Sequence, residues 1–153
     1  MEELFKKLNI KPKNIDLYQR AFIHTSYAYE HNLEYSYEKL EFLGDAIVDL
    51  IVSDYLYKKN EFDEGKMTKI RASYVCENAL YEYANELEFS KYIKLGKGEL
   101  QNGGSHKKAI LADTFEAFIA ALYLDQGYEK AKDIALKIIV PFIKDEDIIA
   151  VSK

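Results

Sequence analysis

Four acidic residues on one short run, Glu38, Glu41, Asp45 and Asp49, recur at spacings of three and four. On a helix turning about 100° per residue they fall within an arc of about 80°. Leu40, Leu43, Ile47, Leu50 and Ile51 occupy the opposite arc, which is therefore expected to face a core. No basic residue interrupts the acidic row, and like charges at i,i+4 cost about 0.2–0.5 kcal/mol per pair. A multivalent cation would remove that repulsion. Gly44 stands beside the row, where a mid-helix glycine costs about 1 kcal/mol relative to alanine. Such a glycine marks close approach by another backbone or by a ligand.

A second run, 111–118, repeats the scheme. Asp113 and Glu116 are i,i+3 neighbours, with Leu111, Phe115, Phe118 and Leu122 on the opposite side and Ala117 and Ala120 on the acidic side. Small residues there would let a partner helix come close. If the two stripes meet, Glu41, Asp45, Asp113 and Glu116 gather in one place. Carboxylates without His or Cys suit a hard cation, Mg²⁺ or Mn²⁺. The other outcome is a pair of solvated helix faces, the usual fate of an acidic stripe. Spacing alone does not choose between them.

These runs must be held by helices. Residues 1–9 read as a short helix stopped by Lys11-Pro12-Lys13. Asn14 and Asp16 are candidate caps for a second helix through Phe22, and the aromatic, aperiodic stretch 27–37 reads mostly as a loop. Ser36 is placed to cap a long helix reaching about Lys58. Asp63-Glu64-Gly65 forms a turn, with Asp63 or Thr68 opening a further helix, and two helices fill 67–94. Gly96, Gly98, Gly103 and Gly104 make 96–105 the clearest loop. A helix over 108–124 ends at Asp125-Gln126-Gly127, and a last one spans 129–143, kinked or ended by Pro141. Strand-like alternation is absent, so the expected fold is an all-α, compact helical bundle.

Length and composition agree. The chain has 153 residues, suited to a single domain over 1–153 with a core of about 5–143. Two prolines and seven glycines leave few helix breakers. One cysteine excludes a disulfide framework and a multi-Cys zinc site. No apolar run has signal-peptide or membrane-span length, so a cytoplasmic, non-membrane protein is expected. The net charge of −5 argues against simple charge-driven binding of a polyanion.

The string Glu38-Lys39-Leu40-Glu41-Phe42-Leu43-Gly44-Asp45-Ala46 resembles the nine-residue signature of the ribonuclease III family. Other segments match that family's endonuclease domain in order: Ala21-Phe22-Ile23-His24-Thr25-Ser26-Tyr27, Asp63-Glu64-Gly65 with Arg71-Ala72, Leu95-Gly96-Lys97-Gly98-Glu99-Leu100, and Leu111-Ala112-Asp113-Thr114-Phe115-Glu116-Ala117. Tyr37 departs from the asparagine common at its position. The sequence ends at Lys153, so the match is to the catalytic domain without the double-stranded-RNA-binding domain that usually follows it.

The resemblance implies that Glu41, Asp45, Asp113 and Glu116 are catalytic carboxylates coordinating Mg²⁺, with Mn²⁺ substituting and no small-molecule cofactor. Glu38 and Glu64 match acidic positions with supporting roles. The implied reaction is hydrolysis of double-stranded RNA by metal-activated water, without a covalent intermediate, in RNA processing. The products would carry 5′-phosphate and 3′-hydroxyl ends with two-nucleotide 3′ overhangs. Phe42 lies at about 40° on the wheel, beside the acids and off the core arc, so it needs another surface. In the family that position fills a socket on a second subunit, implying a homodimer. Lys107 and Lys108, just before the second acidic run, are candidate contacts to RNA phosphates. A catalytically silent relative binding structured RNA or a ribosomal partner is the alternative, although such relatives typically lose one or more of the acids.

His24, His31 and His106 lack metal-ligand spacing, and His24 reads as a local hydrogen-bonding residue. Cys76 reads as a buried thiol. The thirteen tyrosines are expected mostly in cores and interfaces, since a duplex hides its bases. With six acids given to a metal site, the chain alone is expected to bind RNA poorly without divalent metal, and with strong salt sensitivity.

Overall fold

In the computed structural model, which describes residues 1–59 and 62–143, every named element is helical. The final ten residues of the expected domain, 144–153, lie outside the described residues. The α-helices are α1 (Glu2–Leu8), α2 (Ile15–Ala21), α3 (Thr25–Glu30), α4 (Glu38–Lys59), α5 (Glu64–Tyr74), α6 (Glu77–Glu86), α7 (Lys97–Gln101), α8 (Lys108–Gln126) and α9 (Tyr128–Ile139).

Local chemistry sets several boundaries. The Asn14 side chain accepts from Asp16 N at 3.2 Å to start α2, and Asp63 accepts from Lys66 N at 2.9 Å to start α5. Ser36 Oγ accepts from Glu38 N at 3.3 Å at the head of α4. Helix α8 ends at Gly127, whose φ of 88° favours glycine. Pro141 ends the last helix early: α9 stops at Ile139, and Val140–Phe142 form a 3₁₀ turn.

Helix α8 is the axis of the bundle, packing against α2, α4, α6 and α9. Apart from Asp113, every residue from Ile110 to Leu122 is buried. A helix buried on nearly every side belongs in the centre of a fold, and here the burial takes in even Glu116. Its Phe115 and Phe118 join Phe22, Phe89, Tyr18 and Tyr83 in an aromatic core, with Phe22 and Phe89 edge-to-face at 4.9 Å. At its C-terminal end Asp125 accepts from Asn14 N at 2.7 Å and from Tyr18 Oη at 2.6 Å. Gln126 Nε2 donates to Lys11 O at 2.8 Å. The Asp125-Gln126 pair therefore ties the segment after α1 to the end of α8.

Four expectations change. Residues 25–30 form α3, opened by His24, whose ring accepts from Ser26 N. The glycine-rich stretch holds α7 and a 3₁₀ turn at Gly104–His106. Leu50, at the edge of the expected core arc, is 54% exposed because α8 covers only the Ile47 and Ile51 side. Cys76 is exposed, since it precedes α6 instead of lying inside a helix. Among the described residues no helix is long and apolar enough to cross a membrane.

Candidate metal centre

Gly44 decides how near α4 and α8 come. A Cβ built on it would overlap the backbone carbonyl of Glu116, so the two helices touch main chain to main chain there. Of the two origins expected for a mid-helix glycine, the neighbour is a backbone. That contact carries the acids of one helix against those of the other.

Oxygens of Glu41, Asp113 and Glu116 all lie within 4.8 Å of one another. Asp45 stands outside this set and is exposed, but its carboxyl is within hydrogen-bonding reach of Glu116. Glu41 and Asp113 make a second such pair. The four residues therefore form two carboxyl pairs spanning α4 and α8, three of whose members converge. Glu38 is exposed at the start of α4, and Asp49 is exposed one turn beyond Asp45. Glu64 opens α5 beside Leu50, Tyr57 and Arg71, far along α4 from Glu41, and does not join the convergent set. Exposure separates these acids sharply, because Glu116 is only 6% exposed.

Burial and crowding favour protons here. Burial pushes the Glu116 carboxyl up to about 9, and the hydrogen bond and charge of Asp45 add to it. Burial also raises Glu41, with Asp113 beside it as the next cause, and burial raises Asp113. All-oxygen donors packed this tightly suit a hard divalent cation, which replaces the protons the site otherwise retains.

Tyr37, the departure noted in the sequence, forms a wall of the site. It is buried, and its hydroxyl is pushed upward by burial and by the charges of Asp113 and Glu41. His24 meets it edge-on at 5.4 Å. Glu99 belongs to the same neighbourhood, since its charge acts on both Tyr37 and His24. Only its place in the glycine-rich run marked Glu99 in the sequence. Lys107 Nζ is held by Glu99 at 2.8 Å, whereas Lys108 turns to Asn78 Oδ1 at 2.9 Å and to the Tyr81 ring. Phe42 projects from α4 at 83% exposure.

The ribonuclease-III-like family model matches residues 14–143. A protein named Ribonuclease 3 from Listeria monocytogenes is 49% identical over 145 residues, covering 93% of this chain and 63% of its own length. The Ribonuclease 3 of Staphylococcus epidermidis is 45% identical over 150 residues, covering 95% and 61%. This chain thus spans less than two thirds of these relatives. The crystal structure of the nuclease domain of ribonuclease III from Campylobacter jejuni superposes with a TM-score of 0.87 at 38% identity, covering 95% of this chain and 97% of that one. Dicer from Pichia stipitis superposes with a TM-score of 0.65 at 31% identity, covering 86% and 57%.

Proposed function

Because this chain belongs to the ribonuclease-III-like family, we propose that it is a catalytic domain that hydrolyses phosphodiester bonds of double-stranded RNA with a divalent cation. The observation that carries the reading is the convergence of Glu41, Asp113 and Glu116 oxygens within 4.8 Å across the α4–α8 contact. Those three residues would hold Mg²⁺, or Mn²⁺ in its place, and Asp45 would support them through Glu116. When bound, the cation supplies a Lewis acid that lowers the pKa of water and offsets charge on the phosphate. Water attacks phosphorus and the 3′ oxygen departs, giving 5′-phosphate and 3′-hydroxyl ends. Lys107, adjoining α8 and paired with Glu99, would exchange that partner for an RNA phosphate.

The decisive assay is incubation of the protein with a long RNA duplex, in Mg²⁺ and in chelator. Cleavage only with Mg²⁺ is expected. Binding without cleavage in Mg²⁺ would favour the silent relative.

The raised carboxyls make a pH prediction with a definite sign. A group whose pKa is raised by folding contributes stability that is complete below its unfolded pKa and is lost as pH climbs through the folded value. For Glu116 that window runs from its ordinary value of 4.5 to about 9. In chelator the melting temperature should fall across it. Mg²⁺ should raise the melting temperature more at about pH 9 than at about pH 6, because the ligands must be deprotonated. Thermal denaturation at both pH values checks this, and equal shifts would count against a carboxylate site.

Two copies of the domain would place one centre on each strand of the duplex, and the staggered cuts would leave two-nucleotide 3′ overhangs. Phe42 is the residue proposed to hold the copies together. A buried Phe contributes about 1.5–3 kcal/mol, and a two-fold dimer buries two. Phe42→Ala should therefore raise the dimer dissociation constant at least about a hundredfold, measured by sedimentation equilibrium. An unchanged constant would remove Phe42 from the interface.

A further inference from the structure

Between α2 and α4 the backbone meets the segment leading to α7. Lys94 N donates to Phe22 O at 2.8 Å, and His24 N donates to Lys94 O at 3.1 Å, around an isolated bridge between Ile23 and Lys94. Beyond it, Gly96 N donates to Ser26 Oγ at 2.8 Å, and Lys97 N donates to the Glu30 carboxylate at 2.6 Å. A Cβ on Gly96 would overlap that carboxylate and crowd the Ser26 carbonyl, so the segment lies this close only with glycine.

His24 sits behind this contact. Its Nδ1 accepts from Ser26 N at 3.1 Å and lies 2.8 Å from Ser26 Oγ. Because Nδ1 accepts from the Ser26 N–H it carries no proton, which assigns a neutral ring protonated on Nε2. The contact between Nδ1 and Ser26 Oγ is then one in which the hydroxyl donates. Burial, which holds the His24 pKa below its ordinary value, agrees with that assignment.

From Gly96 the segment runs through α7 to Glu99, which packs so closely on Gly104 that a Cβ there would crowd its side chain. Glu99 holds Lys107, the residue from which α8 departs toward Asp113 and Glu116. On its other side the His24 ring abuts Tyr37, the wall of the carboxylate cluster. Residues 96–107 are thus anchored at Ser26 and Glu30 and border the cluster, carrying the exposed cations Lys97 and Lys107.

We propose that His24 is a positioning residue for the substrate: its Nδ1 orients the Ser26 hydroxyl, which holds Gly96 and so sets Lys97 and Lys107 where they meet the phosphates of a duplex lying over the carboxylates. This rests on the double-stranded RNA reading above. Steady-state cleavage of a long duplex in Mg²⁺ is compared for the wild-type protein, Ser26→Ala, His24→Leu and His24→Asn. Ser26→Ala and His24→Leu should each raise KM about tenfold, the loss of one hydrogen bond's worth of placement, with kcat within about twofold. The increase in melting temperature given by Mg²⁺ should stay as in the wild type, since no carboxylate has changed. His24→Asn, whose side-chain oxygen has two lone pairs and can accept from both Ser26 N and the Ser26 hydroxyl, should restore KM. Nitrogen-15 NMR of the wild type should show the His24 proton on Nε2.

An unchanged KM in Ser26→Ala, a fall in kcat at constant KM, a His24→Asn variant as weak as His24→Leu, or a proton on Nδ1 would each overturn the proposal. If the wild-type protein itself leaves the duplex intact, the parent reading falls and this one with it. Failure confined to the variants' predicted behaviour refutes only the positioning role.

Discussion

Glu116→Gln should all but abolish the proposed Mg²⁺-dependent cleavage of duplex RNA, the expected loss being about a thousandfold, the upper range for removing one preorganised electrostatic group. Glutamine keeps the shape of the side chain and replaces one ligand oxygen with an amide nitrogen that cannot bind a cation. The second half of the prediction sets this site apart from an ordinary buried acid. Glu116 is 6% exposed and its carboxyl is pushed up to about 9, so its ionisation works against the fold once the pH rises toward that value. A neutral residue removes that liability. In chelator near pH 9, about the raised value, Glu116→Gln should melt at or above the wild-type temperature, and it should lose the rise that Mg²⁺ gives the wild type. Melting curves and cleavage assays on one preparation check both halves. Cleavage retained by the variant would remove Glu116 from the metal centre.

Gly44→Ala carries the next largest effect, and two principles oppose each other there. Helix propensity favours alanine by about 1 kcal/mol. Against that, the new methyl would overlap the Glu116 carbonyl, and the obstacle is backbone, which cannot swing aside. Overpacking of this kind costs about 1–3 kcal/mol and occasionally more, and a clash with main chain belongs at the upper end. The net expectation is destabilisation by about 2 kcal/mol, or roughly 4–8 °C in melting temperature for a chain of this size. Cleavage should fall as well, because the displacement opens the α4–α8 contact where the carboxylates converge. Gly65→Ala is the control. It sits in α5 with only the Asp63 carboxylate near, at 3.6 Å, so there propensity should prevail. Equal melting temperatures for the wild type and Gly44→Ala would show that the close approach of the two helices does not depend on this glycine.

The wheel of α4 placed Glu41 and Asp45 on one arc and Phe42 beside it, and the exposure of Phe42 follows from that periodicity. Periodicity supplies an azimuth on one helix, however, and says nothing about which helix lies opposite. Asp45 and Glu116 look alike in sequence, each an acid in an apolar helix, yet one is exposed and the other buried. The difference arises because α8 is covered on all sides, which its run of alanines and large apolar residues signals only in hindsight. Leu50 misleads for the related reason that a position on the edge of an arc is decided by the neighbour's width. Helix α3 escaped notice because histidine is not a preferred capping residue, although here its ring accepts the bond a cap requires. The role of Glu99 depends on Tyr37, His24 and Lys107, three residues far apart in sequence or in wheel angle, and no local pattern joins them.

The central position of α8 also has a consequence in time. Glu41 leaves the ribosome 75 residues ahead of Glu116, and the helix that completes both carboxyl pairs follows α2, α4 and α6 in the chain. Until then α2, α4 and α6 lack the surface they pack on, and the acids of α4 lie apart from their partners. The carboxyl cluster therefore has no existence apart from the closed core: α4 presents its acids first, and they acquire partners only when α8 docks between the helices already made.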